Sequence, residues 1–276
     1  MLGRETRFHD VPERRGGTVR KLVLGAVISL VVGMATLPSS AITYGHVDGE
    51  RHPSVGALLG KSRSGKFFQA CTVSLIAPNV VLTAAHCVAG EDPEDFWVTF
   101  DPVLSQDMAV IHGVAYYDHR AYTQGTSRPH DIAVVVLDRA VNRTPVDLPP
   151  IGLLDRMKAR HELKGQVFTA VGYGTRRTSQ QGGWSGILSN DRRRFATQHY
   201  LSLQDQWLLL SMNPATGNAG TCYGDSGGPH FLGGVNSNLE VALTVFGDAY
   251  CKATDKDMRL DTRAAHNFIG RFVDLP

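Results

Sequence analysis

Eight short runs rich in β-branched and aromatic residues limit what this chain can fold into: Cys71–Ile76, Val80–Thr83, Trp97–Phe100, Val110–Tyr117, Ile132–Leu137, Val167–Val171, Trp207–Ser211 and Val241–Phe246. Gly, Pro, Asn and Asp lie between them, a pattern that selects antiparallel sandwiches or barrels over helix-alternating α/β units. The sequence has no repeat at a solenoid period. A helix is expected only at the end, where Asp261 or Thr262 can cap it and Ala265, Phe268, Ile269 and Phe272 form one apolar stripe. The polar, Pro-rich stretch 142–164 is the expected internal boundary, and the Gly-, Ser-, Gln- and Arg-rich stretch 176–194 reads as an exposed mobile loop.

Only one apolar run is free of charge, Leu22–Leu37, and its 16 residues fall short of the roughly 20 that a spanning helix needs. A multispan membrane protein is therefore excluded. The run follows Arg14, Arg15, Arg20 and Lys21 and ends in Pro38-Ser39-Ser40-Ala41, with small residues at the first and third positions before a cut after Ala41. This is the layout of a secretory signal peptide over residues 1–41. An uncleaved single anchor is the alternative, and the lack of a basic stop-transfer cluster after the run weighs against it.

The leader holds six of the 28 basic residues and three of the 26 acidic ones, leaving 22 against 23, a net charge near −1 for residues 42–276. The apparent basicity thus belongs to the leader, and composition gives no ground for nucleic-acid binding or for a polybasic membrane patch. Arg192-Arg193-Arg194 reads as part of a solvated surface loop. All four cysteines, Cys71, Cys87, Cys222 and Cys251, lie after the leader, so an exported chain is expected to form two disulfides, for which three pairings exist. A four-cysteine zinc site is the rival, but none of the spacings is the C-x-x-C such sites usually carry.

Three segments carry chemistry: Leu82-Thr83-Ala84-Ala85-His86-Cys87, His130-Asp131-Ile132-Ala133-Val134, and Cys222-Tyr223-Gly224-Asp225-Ser226-Gly227-Gly228-Pro229. Singly, His86 reads as a satisfied core histidine, Asp131 as a turn residue and the glycine-rich segment as a loop. Together they supply what a serine nucleophile needs. A hydroxyl is a poor nucleophile at neutral pH, so it requires a base within hydrogen-bond reach and a third group to fix the base's tautomer. Histidine has the right unperturbed pKa, and a buried carboxylate is the right orienter. Glycines beside Ser226 let backbone amides converge on an oxyanion.

TAAHC, DIAV and GDSGGP, in that order, resemble the signature segments of the trypsin and chymotrypsin family of serine proteases, and the resemblance spans essentially residues 42–276. Val171-Gly172-Tyr173-Gly174 is similar to the strand entering that family's second barrel, and Val245-Phe246-Gly247 to its substrate-groove segment. The few disulfides and short loops resemble the bacterial secreted members most. The resemblance implies an all-β fold of two six-stranded antiparallel Greek-key barrels with a C-terminal helix, and a secreted, monomeric endopeptidase without metal or organic cofactor. His86 is the implied base, Asp131 its orienter, Ser226 the nucleophile, and the amides of Gly224 and Ser226 the oxyanion hole. The implied disulfides are Cys71–Cys87 and Cys222–Cys251.

One departure is Val245, where the family usually has a serine bonded to the buried aspartate. Asp131 is then expected to lean on backbone amides or on Thr244. The resemblance implies substrate binding by Gly220, Thr221, Phe246 and Gly247, and with small residues at the base and rim and no charge at the base a large apolar or aromatic P1 side chain is favoured. A basic P1 served by Asp255 or Asp257 is the alternative. The family's activating amino terminus is matched by Ile42, next to the expected cut, with Asp225 as its partner. A binding module on the same scaffold and an esterase using the same triad are the rival functions. The remaining histidines, His46, His52, His112, His119 and His199 among them, show no paired ligand spacing and read as surface residues.

Overall fold

The computed structural model describes residues 42–125, 129–177, 179 and 181–276. The apolar run 22–37, the basic residues before it and the cut after Ala41 lie outside them. Six strands, β1 (Val55–Lys61), β2 (Phe67–Ala77), β3 (Val80–Thr83), β4 (Trp97–Thr99), β5 (Ile111–Asp118) and β6 (Ala133–Leu137), close a first antiparallel barrel in the order β1-β2-β3-β6-β5-β4. Six more, β7 (Val167–Gly172), β8 (Arg194–Leu203), β9 (Trp207–Ser211), β10 (Pro229–Leu232), β11 (Glu240–Gly247) and β12 (Thr254–Arg259), close a second in the order β7-β8-β9-β12-β11-β10. The winding is the same in both. All eight apolar runs fall on these strands, as the all-β reading expects.

The first barrel is filled by Leu58, Val73, Leu75, Val81, Val98 and Val135, all fully buried. Each such side chain contributes roughly 1.5–3 kcal/mol on burial. A second cluster, with Phe168, Leu208, Leu210 and Val241, lies in the other barrel. A third joins the two through Leu82, Ile132, Val134, Val171, Phe231, Leu243 and Val245. The C-terminal helix α2 (Arg263–Ile269) packs Ala265, Phe268 and Ile269 on that seam. Thr262 caps it, its hydroxyl accepting from the amide of Ala265 at 3.1 Å. Phe272 falls just past the helix end.

Four expectations are corrected. A helix does occur before the end: α1 (Leu153–Ala159) lies inside the stretch 142–164, burying Leu154 and Met157. Its amino end lacks a local side-chain cap, and its Leu154 amide donates instead to Asp261 Oδ2 at 2.8 Å, from 107 residues away. The arginine triplet is not a solvated loop: Arg192 is half-buried, Arg194 is buried on β8 and Arg193 is fully buried. The Arg193 guanidinium pairs with Asp48 at 2.8 Å and donates to the carbonyls of Gly49, Val55 and Phe100 and to the Tyr173 hydroxyl. It thereby ties strands of both barrels together. His52 is also buried rather than at the surface, bonded through Nδ1 to the same Asp48 and stacked on Phe231.

The stretch 176–194 is likewise more built than an exposed loop. Residues 176–177 pair with 187–188, and the fully buried Arg177 donates to the carbonyls of Ser179, Gln181, Gly183 and Tyr250.

Candidate active site

His86 sits on a single 3₁₀ turn, Ala85–Cys87, directly after β3. The turn is anchored by a disulfide from Cys87 to Cys71 on β2 and by the His86 amide, which donates to Asp131 Oδ1 at 2.9 Å. The other carboxylate oxygen, Oδ2, lies 2.7 Å from His86 Nδ1. Asp131 is fully buried, while the imidazole keeps 18% of its surface in solvent. One carboxylate thus fixes both backbone and ring, favours a proton on Nδ1 and leaves Nε2 to act outward.

Ser226 belongs to the loop 222–229, whose shape is dictated by close packing. Gly224 and Gly227 have φ of +93° and +79°, the left-handed region that side chains disfavour. A Cβ on Gly227 would stand 2.2 Å from Thr83 Oγ1, and one on Gly228 2.7 Å from the Val171 carbonyl. The loop is held by Gly227 N to Thr244 O, Thr244 N to Gly228 O, and Thr72 N to Ser226 O, each at 2.8–2.9 Å. The Gly224 carbonyl accepts from Gln69 Nε2 at 2.6 Å and Thr72 Oγ1 at 3.1 Å. Among the described residues, the amides of Gly224 and Ser226 meet no acceptor.

A cleft of about 270 Å³ is lined by His86 and Ser226 together with Thr221, Cys222, Tyr223, Thr244, Val245, Phe246, Gly247, Asp248 and Cys251. The second disulfide, Cys222–Cys251, joins its two walls. Of the expected substrate-binding residues, Thr221, Phe246 and Gly247 face this cleft. Gly220 does not: it forms an antiparallel bridge with Thr43 and packs so tightly on Met212 that a Cβ would lie 2.2 Å from its Cγ.

Asp255 and Asp257 are fully buried behind the wall. Asp255 accepts from Thr221 Oγ1 at 2.7 Å and from Gln198 Nε2 at 2.8 Å, and Asp257 lies 2.9 Å from His230 Nε2. The Thr244 hydroxyl meets His230 Nε2 at 3.0 Å, so it serves that cluster and not Asp131. Burial pushes the Asp257 carboxyl up to about 8 and raises Asp225, also fully buried, to about 7. Asp225 takes two backbone amides, Gly174 N at 2.7 Å and Cys222 N at 2.8 Å, and has no ion pair among the described residues. Ile42 is fully buried beside Ala196 and Ala219, and no hydrogen bond joins it to Asp225 in the uncut chain.

Sequence reasoning missed Gln69 and Thr72, which hold the Gly224 carbonyl from the other barrel, because nothing local marks a contact across about 150 residues. It also missed His230, whose carboxylate partners lie more than 20 residues downstream.

The family model for trypsin matches residues 46–266. The chain is 28% identical over 207 residues to a trypsin of Saccharopolyspora erythraea, covering 71% of this chain and 82% of that one. It is 24% identical over 197 residues to a chymotrypsin of Phaedon cochleariae, covering 69% and 68% respectively. Among solved structures, HL collagenase superposes with a TM-score of 0.63 over 83% of this chain and 97% of its own, at 18% identity, a likeness of fold. With three signature segments gathered on the seam of two barrels and a family match over most of its length, the chain belongs to the trypsin family.

Proposed function

We propose that this protein is a secreted serine endopeptidase, and the observation that carries the reading is the His86–Asp131 couple opening onto the cleft that Ser226 lines. Ser226 Oγ attacks the scissile carbonyl as His86 Nε2 takes its proton. The proton passes to the leaving amine, an acyl-enzyme remains, and water repeats the cycle in reverse. The unengaged amides of Gly224 and Ser226 receive the oxyanion. Asp131 holds the imidazole in place throughout. A large apolar or aromatic P1 side chain fits the cleft, because Asp255 is covered by Thr221 and the carboxylate of Asp248, which also lines it, is taken up by the amides of Tyr250, Lys252, Ala253 and Thr254.

Secretion accords with the two disulfides and with the leader-like residues 1–41. Cleavage after Ala41 frees the Ile42 amine, which pairs with Asp225 and sets the oxyanion loop. The burial of Ile42 and the cation-free carboxylate of Asp225 support that step.

A fluorophosphonate probe is expected to label Ser226 alone. Ser226→Ala is expected to fold normally and to keep only the roughly 10³–10⁴-fold acceleration over water that binding and the oxyanion hole supply. A Ser226→Ala protein with a tenth of wild-type peptide turnover sinks the triad, and activity confined to esters sinks the peptidase reading.

A further inference from the structure

Beside the mouth of the cleft stand three exposed aromatic rings that hydrolysis itself does not use. Trp184, Tyr223 and Tyr250 keep 57%, 49% and 41% of their surface in solvent. They are nevertheless joined through Trp184, which stacks on Tyr223 with centroids 5.8 Å apart and meets Tyr250 edge-on at 5.5 Å. Exposed aromatics scattered singly need no account, whereas a contiguous group at a binding cleft does.

The supports of this group are rigid. Tyr223 lies three residues before Ser226, and its hydroxyl crosses to the Ala249 carbonyl at 3.1 Å, joining the two walls of the cleft. Tyr250 rides on a turn wound about Asp248, whose carboxylate accepts the amides of Tyr250, Lys252, Ala253 and Thr254 at 2.6–3.2 Å. Trp184 follows two left-handed glycines, Gly182 and Gly183. The buried Arg177 pins that turn to the Tyr250 carbonyl, and a Cβ on Gly186 would lie 2.5 Å from its guanidinium. Three loops distant in sequence are thus locked into one surface continuous with the cleft, which is what a preformed subsite requires.

We infer that Trp184, Tyr223 and Tyr250 form a platform for an aromatic or proline side chain of the substrate polypeptide next to P1, so that specificity is read at a second position outside the cleft. The occupant is the substrate chain because the platform shares Tyr223 with the cleft lining. A flat π surface held open to solvent favours a ring that stacks over a flexible aliphatic chain. This inference rests on the peptidase reading above.

The test is a pair of peptide series with P1 fixed, carrying Phe, Pro or Ala at each flanking position, assayed with wild type, Trp184→Ala and Trp184→Phe. Wild type is expected to prefer Phe or Pro over Ala at one flanking position by about three- to tenfold in kcat/KM. Trp184→Ala should erase that ratio through KM rather than kcat, and Trp184→Phe should restore most of it. Equal ratios in all three proteins overturn the platform, as does a concentration-dependent dimer of wild type that Trp184→Ala dissolves without altering the peptide ratios. A wild type that neither takes fluorophosphonate nor cleaves any peptide overturns the peptidase reading itself, and the platform as a substrate site with it.

Discussion

The two barrels are wound alike but filled differently. The interior of the first is apolar, filled by Leu58, Val73, Leu75, Val81, Val98 and Val135, while Thr72 and Ser74 alternate with the inward residues of β2 and face away from it, Thr72 toward the Gly224 carbonyl. The second buries His230, Glu240, Asp255 and Asp257 completely. One winding therefore tolerates either an oily interior or an ionisable one: Asp255 accepts from Thr221 and Gln198 and Asp257 lies beside His230, while burial holds Glu240 and Asp257 toward their neutral forms. The ionisable interior lies behind the substrate cleft, in the barrel that also carries Ser226. The oily one holds His86 and Asp131 at its rim. Stability against pH and stability against loss of packing should thus divide between the two halves.

The largest effect expected is on activity and tests whether the second barrel needs completing by the amino terminus. Acetylating the Ile42 amine of the processed protein, or replacing Asp225 by Asn, should lower kcat/KM by at least about 10²-fold, the loss typical when an oxyanion-hole donor is displaced. Intact mass should show the active chain beginning at Ile42. Full activity after acetylation, or an active chain that begins elsewhere, breaks the pairing.

Next comes the joint between the halves. Arg193→Ala leaves the Asp48 carboxylate buried without its guanidinium, and denaturant unfolding should report a loss of about 3–5 kcal/mol. A loss below 1 kcal/mol would mean that the barrels hold together through the apolar seam alone.

The smallest effect separates the two interiors by pH. Burial raises Asp225 to about 7 and Glu240 and Asp257 to about 8, and the neighbouring carboxylates raise His230 against the opposing effect of its burial. Carboxyls raised in the fold stay protonated there while the unfolded chain ionises near 4, so their contribution falls as pH climbs from about 4 to about 8. A raised histidine is stabilising below its unfolded pKa and loses that contribution as pH rises through the folded one, so both act in the same direction. The melting temperature of the uncut chain should fall between pH 5 and pH 8.5. Glu240→Gln should flatten part of the fall, each kcal/mol corresponding to about 2–4 °C. An unchanged slope in Glu240→Gln would place the titrating groups elsewhere.

The same contrast explains what the sequence made legible. Five of the six strands of the first barrel carry β-branched or aromatic runs and stand out, whereas β1, interrupted by Gly56 and Gly60, does not. The triad segments are local motifs, and the structure brings His86 and Asp131 into contact and both His86 and Ser226 to one cleft. Strand β12, Thr-Asp-Lys-Asp-Met-Arg, is invisible to a hydrophobic pattern because its inward positions are aspartates. Helix α1 hides because its capping carboxylate comes from Asp261, far along the chain. Arg193 looks like one of three surface charges, and only the fold reveals which of them meets Asp48. In each case the missing information is a partner distant in sequence.

The packing of Gly227 and Gly228 also changes what the motif around Ser226 means. Their hydrogens face Thr83, Thr72 and the Val171 carbonyl, with no room for a methyl group, so these glycines are demanded by the contact between the halves whether or not any bond is ever cleaved. A relative that had lost its hydroxyl at this position and become a binding protein would still have to keep both. Retention of the glycines is therefore a signature of architecture, and the diagnostic of chemistry narrows to the serine and to the histidine across the seam.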